Sequence, residues 1–148
     1  MLRIAKMTDY ATGLMTHLAH QPQRCVSAQQ LAQELSLPAP TVARLLKLLG
    51  RAGLVVSQRG KAGGYGLARP AQTISVADII AAIEGPVALT DCALGDGRCG
   101  LEHGCGTRGN WRLINQAVQV ALEAVTLADM ATPRAQPLHY RETHARKD

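Results

Sequence analysis

Met7, Tyr10, Ala11, Leu14, Met15 and Leu18 recur at three- and four-residue intervals, the spacing that gathers side chains onto one stripe of an amphipathic helix. Pro22 interrupts the pattern. Ser27 followed by Gln30 is the signature of a capping box and opens a second, short helix through Leu31 and Leu35. Leu37-Pro38-Ala39-Pro40 then reads as a tight connection, because each proline biases the residue before it away from the helical region. A third helix is expected from Pro40 or Thr41, with Val42, Leu45, Leu46 and Leu49 as its buried stripe and Gly50 and Gly53 ending it.

Leu54-Val55-Val56-Ser57-Gln58-Arg59 is a short strand-like run, and Gly60 to Gly64 supplies a glycine-rich tip before Tyr65-Gly66-Leu67-Ala68 returns. Helix, short helix, turn, helix and hairpin, in this order, is the layout of a winged helix-turn-helix with the third helix as its recognition helix. Ser75 to Asp78 caps a further helix through Ile79, Ile80 and Ile83, stopped by Gly85 and Pro86. From Asp91 to Asn110 helical periodicity vanishes and six glycines surround three cysteines. A loop of that length needs something to hold it. Trp111, Ile114, Val118, Ala121, Leu122 and Val125 then return to helical spacing, a stripe that one exposed helix cannot keep in water without a partner. The reading is a mainly α chain: a winged helix-turn-helix at 1–86, a cysteine-rich loop at 87–110, a long helix at 111–131 serving dimerisation, and a disordered tail at 132–148.

Composition agrees with packed helices. The 148 residues are 47% apolar but only 3% aromatic, with no Phe, so the core is built from Leu, Ile, Val, Ala and Met. No apolar run approaches the roughly 20 residues that span a bilayer, and the first residues do not resemble a signal peptide. A cytoplasmic protein without a membrane association is expected, in which four cysteines stay reduced or bind metal.

Charge divides the chain. Residues 1–70 carry a net +7 and the remainder a net −2, which points the first half toward a polyanion. On the third helix Thr41, Arg44, Lys47 and Arg51 lie between the apolar positions, placed to reach phosphates or base edges of operator DNA. At the hairpin tip Arg59, Gly60 and Lys61 could approach a duplex closely, since glycine removes the side chain that would hold the backbone away. An ordinary basic solvent face and a plain turn would carry the same residues.

Cys92, Cys99 and Cys105 follow C-x6-C-x5-C. Thiolates suit iron-sulfur clusters, zinc or copper(I), and three in one flexible loop can converge on one centre. The paired C-x2-C spacing usual for zinc is missing, which makes a zinc-stabilised DNA-binding module the weaker metal reading. A thiol enzyme using a Cys-His pair lacks an orienting third group. Cys25 reads as a residue without a role, and His103 as either a ligand or a solvated loop histidine.

These residues resemble the IscR/NsrR-type winged-helix regulators that bind iron-sulfur clusters. The resemblance extends from Met1 to about Ala131. It rests on Leu2-Arg3-Ile4 with Lys6-Met7-Thr8-Asp9-Tyr10-Ala11, Arg59-Gly60 with Gly63-Gly64-Tyr65, Ile83-Glu84-Gly85, the three cysteines, Trp111 and Val125 to Asp129. Leu89-Thr90-Asp91-Cys92 and Asn110-Trp111-Arg112 with Ile114-Asn115 are most similar to the regulator of the SUF cluster-assembly operon. The resemblance implies a homodimer joined through Trp111, Ile114, Val118, Leu122 and Val125, reading a palindromic operator. It further implies a [2Fe-2S] or [4Fe-4S] cluster on Cys92, Cys99 and Cys105 whose presence alters DNA affinity and thereby controls iron-sulfur assembly genes. A sensor of nitric oxide or redox stress on the same fold is the alternative. Where IscR has a histidine ligand this chain has Arg108, which cannot deprotonate to bind metal. Asp9 matches a position where some NsrR-type relatives use an aspartate of the partner subunit, so it is the expected fourth ligand, with His103 or water as the alternative. Ala43 and Arg44 stand where IscR has a Glu-Gln pair, so no operator sequence carries over.

Overall fold

The computed structural model describes residues 3–95, 97–101 and 103–133. Helix α1 spans Lys6–Ala19 and buries Thr8, Ala11, Leu14, Met15 and Leu18. Helix α2, Ala28–Glu34, opens on the expected capping box: the Gln30 amide donates to Ser27 Oγ at 3.1 Å and the Ser27 amide to Gln30 Oε1 at 3.0 Å. The turn that follows lies earlier than the prolines suggested. Ser36 adopts a left-handed φ of 53°, the Leu37 amide reaches back to the Ala32 carbonyl, and helix α3 starts at Ala39 with Pro40 inside its first turn. Proline fits there because the first-turn amides have no helical acceptor. Helix α3 runs to Arg51 and passes through Gly50; the stop is at Gly53, whose φ is +70°.

Strands β1, Val55–Gln58, and β2, Gly64–Leu67, form the antiparallel wing in the register Val55↔Leu67 to Gln58↔Gly64. The wing is tied to the helices by a bridge from Tyr65 to Val26, with amide-to-carbonyl distances of 3.0 and 2.8 Å. Gly64 permits this approach. Its φ is +150°, and a Cβ there would stand 2.7 Å from the Val26 backbone.

A single turn of 3₁₀ helix at Ala71–Thr73 leads to helix α4, Val76–Glu84, capped reciprocally by Ser75 and Asp78 and ended by Gly85 at φ +89°. After the cysteine loop, helix α5 covers Arg108–Glu123 and helix α6 covers Leu127–Ala131. The continuous helix expected over 111–131 is therefore two helices, and the first begins three residues early. Thr126 and Asp129 form a capping box that starts α6 afresh. The Leu127 amide also donates to the Ile74 carbonyl at 2.7 Å, and the Val76 amide to the Val125 carbonyl at 2.9 Å. These bonds dock the start of α6 onto the winged domain, where Leu127 is fully buried.

One core joins Leu14, Met15, Leu31, Val42, Leu45, Leu49, Ile74, Ile79 and Leu127. Each such side chain contributes about 1.5–3 kcal/mol by leaving water. Residues 134–148, which include most of the expected disordered tail, lie outside the described residues.

Candidate nucleic-acid interface and cysteine loop

Burial of Val42, Leu45, Leu46 and Leu49 fixes the rotation of α3, leaving Arg44, Lys47 and Arg51 exposed and Thr41 half-buried at its start. Arg44, Lys47 and Arg51 are three and four residues apart and so share one face of the helix. Beside this face, Ala43, Lys47, Val56, Ser57 and Tyr65 line a shallow groove of about 450 Å³ between α3 and the wing. Arg59, Gly60 and Lys61 stand exposed at the wing tip, where the Gly63 amide closes the turn on the Gly60 carbonyl at 3.0 Å. Among the described residues none of these five cations makes an ion pair, whereas Arg69 pairs with Asp78 at 3.2 Å. Their charge is therefore available to phosphates.

The loop is built differently. Cys92 lies in a 3₁₀ turn at Asp91–Ala93, is only 7% exposed, and has its sulfur 3.1 Å from Thr90 Oγ1. Cys99 is half-buried and Cys105 fully exposed. The Thr107 hydroxyl, 3.4 Å from its sulfur, together with the Thr107 and Arg108 amides and the Arg108 charge, holds the Cys105 thiol below its ordinary pKa. Among the described residues no three His, Cys, Asp or Glu side chains meet as a metal site, so a single chain does not bring Cys92, Cys99, Cys105 and Asp9 together. Asp9 is exposed in the first turn of α1, near Arg3, Ile4 and Lys6. His103 lines one small pocket together with Cys105.

The apolar stripe expected on the long helix is split. Trp111 and Ile114 are 42% and 45% exposed, joined by Leu113 and Val120. Val118 and Leu122 instead face their own chain and line a groove with Ile80, Pro86, Leu89 and Leu94. Val125 is not on α5 at all, because the helix ends at Glu123.

A family model described as an iron-dependent transcriptional regulator, Rrf2, matches residues 4–133. The chain belongs to the Rrf2 family. It is 30% identical over 132 residues to the regulator IscR of Vibrio parahaemolyticus, covering 88% of this chain and 78% of that one. The structure of CymR, the global cysteine regulator of B. subtilis, superposes with a TM-score of 0.69 at 30% identity over 88% of this chain and 97% of that one. IscR of T. potens superposes with a TM-score of 0.67 at 31% identity, over 87% and 85%. This Rrf2-family chain is accordingly a transcriptional regulator of winged-helix fold and not an enzyme. Among its described residues no helix is long and apolar enough to cross a membrane.

Two polar residues that the sequence reading used only for the resemblance have structural roles it did not assign. Asn115 is 93% buried on α5, and Glu84 accepts hydrogen bonds from the first turn of α1. The signal for Asn115 was present: it is a polar residue at helical spacing from Trp111, Val118 and Leu122.

Proposed function

We propose that this protein is a cytoplasmic homodimeric regulator of iron-sulfur assembly genes, binding operator DNA through Thr41, Arg44, Lys47, Arg51 and the wing tip Arg59-Gly60-Lys61, with affinity set by an iron-sulfur cluster. The observation that carries the DNA side is the run of exposed cations on α3 and the wing that form no ion pair among the described residues. The cluster side rests on donor chemistry. Cys92, Cys99 and Cys105 supply three soft thiolate ligands on one glycine-rich loop, and Cys105 is already biased toward its thiolate form. The donor types suit such a group although the thiols stand apart in one chain, and when bound it would supply a redox-active centre.

This chain's own residues do the rest. The loop must close to gather three thiols, and the glycines at 95, 97, 100, 104 and 106 give its backbone the freedom to do so. The fourth ligand is Asp9 of the partner subunit, with His103 beside Cys105 as the competing donor. Dimerisation uses the exposed apolar face of α5 that contains Trp111 and Ile114, next to Val118 and Leu122. CymR-like neighbours point to regulation of a different set of genes as the second reading.

The test is anaerobic purification of wild type and variants, with absorption spectra and operator binding measured before and after cluster removal. Visible cluster bands, lost in Cys92→Ala, Cys99→Ala and Cys105→Ala, are expected, together with a change in affinity on removal. A labile cluster in Asp9→Ala and a normal one in His103→Ala are expected; the reverse assigns the fourth position to His103. Colourless protein with stoichiometric zinc, or an affinity indifferent to the cluster, overturns the proposal. Mapping of bound DNA across the genome under iron limitation then separates iron-sulfur assembly genes from other targets.

A further inference from the structure

Asn115 sits in the middle of α5 on the side turned toward its own chain, with 7% of its surface exposed. Its side chain makes two hydrogen bonds to one irregular segment. Oδ1 accepts from the Leu89 amide at 2.9 Å, and Nδ2 donates to the Val87 carbonyl at 3.2 Å. An amide side chain bonding an amide and a carbonyl two residues apart imitates a neighbouring strand, and it satisfies backbone groups that would otherwise be stranded beside α5. The clamped segment leads at once to Thr90, whose carbonyl accepts from Ala93 at 3.0 Å and whose hydroxyl meets the Cys92 sulfur at 3.1 Å. At its other end the segment joins α4 at Gly85.

We infer that Asn115 is a positioning residue for Cys92: by clamping the Val87–Leu89 strap to α5 it keeps the thiol buried and in one orientation, and it passes changes at Cys92 to α5. Cys92 is buried beside the clamped strap, whereas Cys99 is half-buried and Cys105 exposed. Cys92 is thus the member of the set that sits closest to a side-chain clamp from α5. A coupling of this kind runs both ways: what fastens the strap to α5 protects Cys92, and what alters Cys92 pulls on α5. The sensing consequence depends on the function proposed above, but the positioning of Cys92 does not.

The positioning is therefore tested on reduced, cluster-free, full-length protein. A maleimide is added and the labelling rate of each cysteine is read by peptide mass spectrometry, with Cys105 as the internal reference. Wild-type Cys92 should label at least tenfold more slowly than Cys105. In Asn115→Leu that protection should fall by about tenfold at every pH. In Asn115→Asp it should fall similarly at pH 7.5 but return toward wild type at pH 5 and below, because a protonated carboxyl both accepts from Leu89 and donates to Val87 as the amide does. Recovery of this kind is not expected from a substitution that merely loosens packing. Protection of Cys92 within twofold of wild type in both variants overturns the inference, as does a loss in Asn115→Asp that is the same at both pH values. Should either variant fail to fold, hydrogen exchange of wild-type protein decides: the Leu89 amide should exchange at least a hundredfold more slowly than the loop amides at 103–106, and equal exchange overturns the inference. If protection behaves as expected while operator affinity ignores the cluster, the positioning stands and the sensing function fails.

Discussion

The Thr8 hydroxyl donates to the Glu84 carboxylate, which also accepts from the Ala5 amide at 3.3 Å, so one carboxylate fastens the start of α1 to the end of α4. Thr8 is 1% exposed, whereas Glu84 is exposed, and the bond closes the inner end of the strap that leads to Cys92. Thr8→Val keeps the shape and removes the donor. A hydrogen bond to an ionised acceptor contributes about 1.5–3 kcal/mol when buried; solvent around Glu84 reduces the expected loss to about 1 kcal/mol. Thermal denaturation should show Tm lowered by about 2–4 °C. An unchanged Tm would remove this bond from the account of the α1–α4 junction.

Operator binding should weaken steeply with salt, with log K falling by about 0.9 per phosphate contacted for each unit of log salt concentration. Lys47→Ala should reduce that slope by about 1 and lower specific and random binding alike. Arg44→Ala should instead erode discrimination between operator and random DNA, as expected of a side chain that reads base edges. Titrations at several salt concentrations measure both. An affinity indifferent to salt and to Arg44 would displace α3 as the recognition helix.

Gly64→Ala should detach the wing without unfolding the helices. The new Cβ would sit 2.7 Å from the Val26 backbone at a φ of +150°, costing about 1–3 kcal/mol in strain and breaking the Val26–Tyr65 bridge. Circular dichroism should keep its helical signal while operator affinity falls. Full affinity in this variant would show that the wing's attachment to Val26 is dispensable for binding.

The split stripe on α5 separates two kinds of variant. Ile114→Asp places a carboxylate on the exposed face and should yield a folded monomer by light scattering, with Tm read at matched concentration. Val118→Asp puts the charge into the groove against Ile80 and Leu89, so it should lower the stability of the subunit itself. A stable dimer from Ile114→Asp would move the interface elsewhere.

Cys105 should alkylate as a thiolate at lower pH than an ordinary cysteine, because Thr107 and then Arg108 favour its charged form. Thr107→Val removes the largest of these influences. The midpoint of its alkylation rate against pH should move upward, so less thiolate is present at pH 7.5 and labelling slows. The group is fully exposed, and no change in folding stability should accompany the shift. A midpoint unmoved by Thr107→Val would transfer the effect to Arg108.

Local chemistry was legible because it depends on neighbours a few residues apart. The stripes of α1 and α3, the boxes at Ser27 with Gln30 and Ser75 with Asp78, the hairpin and its basic tip all follow from helical or alternating period and from capping. Periodicity also made 111–131 look like one helix, since Val125 continues the spacing of Leu122. Tertiary contacts decided otherwise: the Val125 carbonyl and the Leu127 amide are claimed by Val76 and Ile74, some 50 residues earlier, and Thr126 caps a new helix toward the core. The same kind of distance hid the roles of Asn115 and Glu84, whose partners lie 26 to 79 positions away. A side chain's period states which face it occupies. Whether that face meets solvent, a second subunit or the chain's own strap is settled only when the loop between Gly85 and Thr107 has chosen its path, because that path sets which backbone groups lie beside α5 in need of partners.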